Sequence, residues 1–361
     1  MSATEFDLII AGAGPAGCAA AIRAGQRGAR AALVGASGTD VAQSWVSPDG
    51  VALLNDLKLK EKAVGAARFR GIRLHDWRGA RRAEVNDAEL AGWIVGRPAF
   101  ETALANAANA SKTVERFETR IAEVAIGEEW VEASRDDGGS LKGRALLIGD
   151  GAHSTLARRC GLVPAGATSG APACMSASFD CDGDTGIDVI LGAHREGKSA
   201  TLVRNNGAAT LTLLTRDRST SPEAQWAEAI EAARVAGLLS GDLPAPTAYA
   251  CPAGLALDLD THIGKRSLLI GDAGGFVAAF SGEGLYPGMW SGARAAEIAL
   301  DALAEPVPQD AMQRYSVEWR AALADYLRMP NTDLSLLMPL VFGNEQMTAR
   351  VARAFVYGQP F

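Results

Sequence analysis

The stretch FDLIIAGAGPAG, residues 6–17, decides the fold of this chain. It reads as a buried strand, a glycine turn and the start of a helix. Gly12 permits the tight turn, Gly14 leaves backbone amides open to a pyrophosphate, and Gly17 lets the helix pack closely on the strand. The helix, expected from Pro15 to about Gln26, directs the positive end of its dipole at the phosphates.

A second apolar run, ARAALV at residues 29–34, follows this helix. We place it as the next parallel strand of a βαβ unit, so residues 1 to about 40 predict a dinucleotide-binding fold. The acidic residue that usually ends this second strand binds the adenosine ribose, and its position here holds Gly35. Ser37, Thr39 and Asp40 follow in the loop and are the candidates to replace it.

A second apolar strand with a glycine at its end, and a second glycine-rich helix start, lie far downstream. LLIGDA at residues 268–273 ends an apolar strand in Gly-Asp, and SGEG at residues 281–284 opens a further helix. Between the two regions, ALLIGDG at residues 145–151 is another buried strand that ends in a turn. Continuous apolar strands flanked by helices are typical of a parallel sheet.

The composition is that of a globular protein, with 48% hydrophobic and 21% charged residues in a chain of 361. This length predicts two lobes. The net charge of −7 argues against nucleic acid or an anionic membrane as the main partner. No run approaches the roughly 18 apolar residues of a membrane span. The run LSLLMPLVF at residues 334–342 is half that long and contains a proline, so we interpret it as packing.

Reactive side chains show no recognisable constellation. The five cysteines are scattered and lack metal-ligand spacing, so we predict no metal site and a reducing, cytoplasmic location. The histidines, His75, His153, His194 and His262, lie in unrelated contexts. Six arginines cluster within residues 68–82, where we expect a solvated hairpin or strand edge.

Residues 161–255 differ from the preceding part of the chain in their pattern of apolar and turn-forming residues. Short strand candidates at 187–191, 200–204 and 210–214 are separated by glycine, asparagine and aspartate, which is typical of an antiparallel sheet. One helix, capped by Ser221 and covering 223–236, interrupts them. We predict an α/β fold with a discontinuous Rossmann-like domain, an inserted antiparallel-sheet substrate domain and a C-terminal helical segment. The predicted ranges are 1–75, 96–160 and 262–305 for the first, 76–95 and 161–261 for the second, and 306–361 for the third.

Three motifs together resemble the FAD-binding motifs of the group A flavoproteins. They are GAGPAG at 12–17, DGAHS at 150–154, and GDAGGF at 271–276 with SGEGL at 281–285. This family includes para-hydroxybenzoate hydroxylase, the flavin-dependent halogenases and the geranylgeranyl reductases. The last motif continues to SGARAAE at 291–297 and is most similar to the geranylgeranyl reductase branch. The resemblance implies FAD as the cofactor, with NADH or NADPH as candidate transient electron donors.

The resemblance also implies roles for individual residues. Asp272 would bind the ribityl hydroxyls or lie near the pyrophosphate. Amides of the helix that opens at 281–285 would face the N1 and C2 edge of the flavin ring and stabilise the negative charge of its reduced form. Arg97 would reach the phosphate and ribityl side. The complete implied set is Gly12, Ala13, Gly14, Pro15, Ala16, Gly17, Arg97, Asp150, Gly151, Gly271, Asp272, Gly282, Glu283, Gly284 and Leu285.

On the substrate side the chain departs from the family pattern. AAF at 278–280 stands where many members have a proline near the reactive edge of the flavin. The tryptophan and proline motif of the halogenases and several reductases has no match in SATLVRNN at 199–206. The pocket residues that the resemblance implies are Trp45, Arg204, Phe280 and Tyr286.

Four functions fit these observations. The first is an FAD-dependent monooxygenase that hydroxylates an aromatic or electron-rich substrate, and the second is a carbon–carbon double-bond reductase of the geranylgeranyl reductase type. The third is a flavoprotein that modifies a residue of a partner protein, as in the maturation of tryptophan-derived quinone cofactors. The fourth, which Gly35 suggests, is a degenerate FAD-binding module without enzymatic activity. A compact polar pocket would favour the first function, and a long apolar tunnel would favour the second.

Overall fold

The computed structural model describes residues 5–36, 38, 41–78, 80–192 and 198–359, so Ser37, Thr39, Asp40 and His194 lie outside the described residues. The strands of the described ranges are β1 (Glu5–Ala11), β2 (Ala31–Val34), β3 (Gln43–Val46), β4 (Ala67–Phe69), β5 (Gly71–Asp76), β6 (Arg82–Asn86), β7 (Gly92–Gly96), β8 (Val114–Phe117), β9 (Ile121–Ile126), β10 (Val131–Arg135), β11 (Ser140–Ile148), β12 (Ala173–Asp180), β13 (Gly186–Gly192), β14 (Lys198–Asn205), β15 (Ala208–Thr215), β16 (Thr247–Ala250), β17 (Ile263–Gly264) and β18 (Ser267–Leu269). The α-helices of the same ranges are α1 (Pro15–Gln26), α2 (Pro48–Asp56), α3 (Arg97–Asn109), α4 (Thr155–Arg159), α5 (Pro222–Val235), α6 (Leu285–Ala302), α7 (Pro308–Met312), α8 (Arg314–Leu327), α9 (Leu334–Val341) and α10 (Glu345–Tyr357).

The first sheet carries the glycine turn at its centre. Its strands lie in the order β17-β18-β11-β1-β2-β8, and β1 pairs in parallel with both β2 and β11. All four residues of β2 are buried, which fits a parallel sheet covered on both faces. The predicted βαβ unit is confirmed. The parallel arrangement returns at β18, far along the chain, so the Rossmann-like fold is discontinuous as predicted.

Helices α1 and α6 cross at close range on this sheet. Gly292 makes the approach possible, because a Cβ atom there would lie 2.1 Å from the Ala16 carbonyl oxygen. Tyr315 of α8 is fully buried and donates a 2.9 Å hydrogen bond to the Leu269 carbonyl oxygen of β18. These contacts fix the beginning of α6 beside the glycine turn.

The second sheet has the order β16-β12-β15-β14-β13-β5-β6 and is antiparallel except for the β13–β5 pair. Helix α5 covers one face, where Trp226 packs among residues such as Leu202 and Leu211. The helix begins as predicted, since the Ser221 hydroxyl accepts a 3.2 Å hydrogen bond from the Ala224 amide. The three strand candidates are confirmed as β13, β14 and β15, each longer by one or two residues at its ends.

A three-stranded sheet in the order β3-β7-β4 lies between these two layers and the C-terminal helices. On it, Trp45 stacks against Phe355 of α10, with ring centroids 5.9 Å apart. The arginine-rich residues 68–82 include the expected hairpin, which is formed by β5 and β6. The helical character of the C-terminal segment is confirmed by α7 to α10. In the part of the chain that the structure describes, no helix is both long and apolar enough to cross a membrane.

Candidate cofactor and substrate site

One cleft, with a volume of about 450 Å³, runs from the glycine turn of the first sheet to the face of the second sheet that α5 leaves uncovered. The three glycine-rich segments singled out in the sequence meet there, although up to about 270 residues separate them. Twelve of the predicted site residues line it: Gly14, Pro15, Ala16, Trp45, Arg97, Gly151, Gly271, Asp272, Gly282, Glu283, Gly284 and Leu285. Gly12, Ala13 and Asp150 belong to the adjoining turns, and Gly17 lies in the first turn of α1.

The glycines of the first turn differ in what surrounds them. A Cβ atom on Gly12, whose φ is +103°, would lie 2.0 Å from the Gly149 carbonyl oxygen. A Cβ atom on Gly17 would lie 1.8 Å from the Gly12 carbonyl oxygen, so this glycine permits the close packing of α1 on β1. At Gly14 an added Cβ atom would meet nothing within 4 Å, because this residue faces the open cleft. The turn therefore leaves room for a pyrophosphate at Gly14, and this room is not needed for packing within the protein.

Gly35 has a steric explanation. A Cβ atom there would lie 2.5 Å from the Ala13 amide nitrogen, so the end of β2 packs directly against the glycine turn. No acidic side chain fits at this position without moving the turn. A ribose would have to be held by other groups, and the nearby Ala36 and Gly38 line the cleft with no acid of their own.

Arg97 and Glu101 form an ion pair at the wall of the cleft. The Arg97 Nη2 atom lies 2.6 Å from Glu101 Oε1, and both side chains are mostly buried. Both residues line the cleft. Glu101 was not among the predicted site residues, although its spacing of four residues from Arg97 on a helix is the signal that could have revealed it. The pair holds the guanidinium group at the wall of the cleft.

Asp272 lies at the edge of the cleft near the start of α6. Its carboxyl is open to solvent through the cleft, while protein surrounds it on the other sides. This surrounding protein raises the pKa of Asp272, and the positive charge of Arg97 acts in the opposite direction. A carboxyl group in this place can accept hydrogen bonds from the hydroxyls of a bound sugar chain.

Glu283 lines the same cleft and is only 5% exposed. Its Oε1 atom accepts a 2.8 Å hydrogen bond from the Tyr286 amide, and its Oε2 atom accepts one of 2.7 Å from the Tyr326 hydroxyl. Burial raises the pKa of Glu283 to about 7, against the lowering effect of these hydrogen bonds and of Arg97. The carboxyl group therefore changes its protonation state near neutral pH.

Glu283 also accepts hydrogen bonds from backbone amides at the start of α6. We expect these amides to face the flavin ring, yet the Tyr286 amide, and with it the Leu285 amide, is directed at the Glu283 carboxyl group. Glu283 thus caps the helix that follows it. Protonation of Glu283 removes a negative charge from the helix N-terminus and leaves the positive end of the dipole uncompensated there.

The Asp150-Gly151 turn follows β11. Gly151 has a φ of +95° and lines the cleft, so the backbone turns here without a side chain in the way. The Asp150 carboxyl accepts a hydrogen bond from the Ser154 hydroxyl. Ser154 in turn caps α4 by accepting a 2.9 Å hydrogen bond from the Ala157 amide. Asp150 thereby anchors the turn beneath the cleft.

A row of four hydroxyl side chains crosses the sheet face that forms the far wall of the cleft. Thr247 pairs with Ser176, Ser176 with Thr212, and Thr212 with Thr201, each on the neighbouring strand. All four line the cleft. We call this set, Thr247, Ser176, Thr212 and Thr201, the hydroxyl row. No pattern in the sequence reveals the hydroxyl row, because the register of four strands is needed to bring these residues into line.

The remaining pocket candidates lie elsewhere. Phe280 packs edge-on against Phe355, with ring centroids 5.5 Å apart, and Tyr286 packs edge-on against Tyr326 at 5.1 Å. Arg204 points to the opposite face of the second sheet. There its Nη2 atom lies 2.6 Å from Oδ2 of Asp188, a carboxylate that is completely buried.

Asp188 also holds two other side chains on that opposite face. Arg73 contacts both of its oxygens at 2.7 Å, and the Nε2 atom of His75 lies 2.9 Å from Oδ1. Burial would raise the pKa of Asp188, but hydrogen bonds from His75 and Arg73 and the charges of both arginines hold it below its usual value. Arg204 is thus a partner in a buried ion cluster.

The residues of the cleft fit an FAD. Gly14 leaves the space that a pyrophosphate needs beside the N-terminus of α1, and the Asp272 carboxyl is open to the cleft where a sugar chain would lie. Arg97 supplies a cation on the same side. The fold of this chain is similar to that of solved FAD-dependent and flavin-dependent proteins.

Comparison with solved structures supports that assignment of the fold. A probable FAD-dependent monooxygenase from Pseudomonas aeruginosa, PqsL, is 18% identical with a TM-score of 0.70, over 96% of this chain and 99% of that chain. A flavin-dependent brominase is 16% identical with a TM-score of 0.73, over 98% and 94%. A geranylgeranyl bacteriochlorophyll reductase-like protein from Thermoplasma acidophilum is 16% identical with a TM-score of 0.74, over 98% and 96%.

No protein-family model matches the sequence, and no curated protein matches it in a sequence search. At the low identities of the structural matches, the likeness is one of fold. The resemblance to the group A flavoproteins that the three motifs carry is confirmed at that level.

Proposed function

We propose that this protein is an FAD-dependent oxidoreductase, and specifically a monooxygenase that hydroxylates an aromatic or electron-rich substrate. The observation that carries the proposal is the meeting of three distant glycine-rich segments in one cleft, with Gly14 open to it and Asp272 at its edge. A turn that leaves space for a pyrophosphate beside a helix N-terminus is the recurrent means of binding dinucleotides.

When bound, FAD supplies the two-electron chemistry and the reaction with oxygen. The protein contributes position and charge. Asp272 and Arg97 hold the cofactor side of the cleft, and α6 directs its positive dipole end there. Glu283, whose pKa of about 7 results chiefly from burial, holds or releases a proton at its carboxyl oxygens. The hydroxyl row orients the substrate from the opposite wall.

The hydroxyl row also favours a monooxygenase over a reductase of long isoprenoid chains. Four hydroxyl groups form a polar strip on a wall that also carries Val203 and Leu214, and this strip suits a substrate with hydrogen-bonding groups.

Carbon–carbon double-bond reduction is the second candidate. The motif SGEGL at residues 281–285, most similar to the geranylgeranyl reductase branch, favours it, as does the likeness of fold to the Thermoplasma acidophilum protein. The two candidate functions differ in whether the reaction requires oxygen. A hydroxylase consumes oxygen in step with substrate, whereas a reductase consumes substrate under anaerobic conditions.

The first test is the absorbance spectrum of the purified protein before and after FAD is added. Bands near about 370 and 450 nm that co-purify with the protein would support flavin binding. Addition of NADH or NADPH in air, with an oxygen electrode, then identifies the donor and the use of oxygen. Protein that binds no FAD under any condition would overturn the proposal and favour a degenerate module.

A further inference from the structure

The charge of the cleft restricts which substrates can enter it. Among the described residues that line the cleft, Arg97 is the one cation, and Glu101 pairs with it at 2.6 Å. The other acidic groups in the lining are Asp272 and Glu283. A bound FAD would add the negative charges of its pyrophosphate. The cleft therefore offers an anionic substrate no counter-ion and several like charges.

Arg204 supplies no counter-ion to the cleft either. It lies on β14 between Val203, which lines the cleft, and Asn205, but its guanidinium points to the other face of the sheet. There it is 11% exposed and bound to Asp188, whose own exposure is 0%. Turning Arg204 toward the cleft would leave a buried carboxylate with one fewer partner, which is strongly unfavourable. Arg204 is thus held away from any substrate carboxylate.

The hydroxyl row supplies the alternative means of recognition. Neighbouring strands lie about 4.8 Å apart, so the four hydroxyl groups extend over roughly 14 Å. Each hydroxyl can both donate and accept a hydrogen bond. Within the described part of the chain, no hydrogen bond joins the Ser176, Thr201 or Thr247 hydroxyl to another protein group, so these groups face the cleft with free capacity.

We propose that the substrate is an uncharged molecule that bears hydroxyl or amide groups, which the hydroxyl row binds, and that carboxylate substrates of the same shape are excluded. This inference rests on the proposed function, because it concerns the substrate side of the same cleft. The inference requires only that the cleft bind neutral ligands more tightly than anionic ones, whatever reaction the cofactor performs.

Equilibrium dialysis of the FAD-loaded protein at pH 8 tests the preference without relying on turnover. The probes are matched pairs of aromatic amides and carboxylates, namely para-hydroxybenzamide with para-hydroxybenzoate, meta-hydroxybenzamide with meta-hydroxybenzoate, and phenylacetamide with phenylacetate. We expect the amide of a pair to bind at least about tenfold more tightly than its carboxylate, a ratio that corresponds to about 1.4 kcal/mol. Tighter binding of the carboxylates, or no binding of any amide, would overturn the proposal.

Substitutions in the hydroxyl row locate the site. Thr201→Val and Ser176→Ala each remove one hydroxyl group, and each should weaken amide binding about fivefold. Ser134→Ala, on an exposed position of β10, is the control and should leave binding unchanged. Equal affinities for Thr201→Val, Ser176→Ala and the unchanged protein would show that the row does not hold the ligand.

A gain of charge provides an independent check. Thr201→Lys places a cation within the row, and the ratio of carboxylate to amide affinity should rise about tenfold or more. If this variant does not fold, the matched pairs and the two hydroxyl deletions still decide the question. FAD content is measured on every sample, so loss of the cofactor, which would contradict the proposed function, is distinguished from a wrong assignment of the substrate.

Discussion

The Tyr326 hydroxyl donates a 2.7 Å hydrogen bond to Oε2 of Glu283, and both side chains are buried. Tyr326 belongs to α8, in the C-terminal helical segment, whereas Glu283 lines the cleft. A second link joins the same regions, because the Ala279 amide donates a 3.1 Å hydrogen bond to the Leu327 carbonyl oxygen. The C-terminal helices therefore hold a titratable group in the cleft.

The first prediction concerns this hydrogen bond. Tyr326→Phe removes a donor that favours the carboxylate form, so the pKa of Glu283 should rise further above 7. At pH 8 we expect the free energy of unfolding to fall by about 1.5 to 3 kcal/mol, as for a lost hydrogen bond to a charged group. Urea unfolding measures the change in stability, and nuclear magnetic resonance of carboxyl-labelled glutamate measures the pKa of Glu283.

Tyr286→Phe, which keeps its backbone bond to Glu283, is the control. A lower pKa of Glu283 in Tyr326→Phe would contradict the assignment.

The second prediction is a pH dependence of stability. The pKa of Glu283 rises from 4.5, its ordinary value, to about 7 in the folded protein, so the group stabilises the fold fully below pH 4.5 and this contribution is lost as pH rises toward 7. Glu283→Gln has no titratable group at this position. The difference between the unfolding free energies of the two proteins should therefore change by about 3 kcal/mol between pH 4 and pH 8. The variant should be the relatively more stable protein at pH 8. Parallel stability curves would exclude a raised pKa.

The third prediction tests the glycine turn. Gly14→Val should abolish FAD binding, because its side chain would occupy the space left for the pyrophosphate. The unfolding free energy of the FAD-free protein should change by less than about 1 kcal/mol, since an added Cβ atom meets nothing within 4 Å. Gly17→Val is the contrast, with a Cβ atom 1.8 Å from the Gly12 carbonyl oxygen, and should unfold the domain. Retained flavin in Gly14→Val would contradict the location of the pyrophosphate.

The fourth prediction separates binding from stability at Asp272. Asp272→Ala should weaken FAD binding by about 1.5 to 3 kcal/mol, because charge-assisted hydrogen bonds to the sugar chain are lost. The FAD-free variant should be at least as stable as the unchanged protein, since the surrounding protein already disfavours the ionised carboxyl. Isothermal titration with FAD and urea unfolding measure the two quantities. Asp182→Ala, at an exposed position, serves as the control, and equal FAD affinities of Asp272→Ala and this control would make Asp272 a structural residue only.

Much of the cofactor half could be predicted from the sequence because its chemistry is local. Within the turn at residues 12–17, Gly12 is required by its φ of +103° and Gly17 by its approach to the Gly12 carbonyl oxygen, whereas the contact of Gly12 with the Gly149 carbonyl oxygen is tertiary. The Ser221 cap of α5 and the apolar runs of β1 and β2 are local in the same sense. The missing acid at Gly35 was visible in the sequence, but its cause, contact with the Ala13 amide, was not.

The substrate half depended on tertiary structure. All eight residues of β14 are buried, so no alternation of polar and apolar residues shows that Thr201 faces the cleft while Arg204 faces Asp188. The hydroxyl row requires the register of four strands, and the Tyr326–Glu283 bond joins residues 43 positions apart. By itself the sequence determined the strand, glycine turn and helix at residues 6–26, since the positive φ of Gly12 and the packing of Gly17 against it are set within a few residues. Only the folded chain decided which side chains face the cleft, because strand pairing and burial on both faces of a sheet set that orientation.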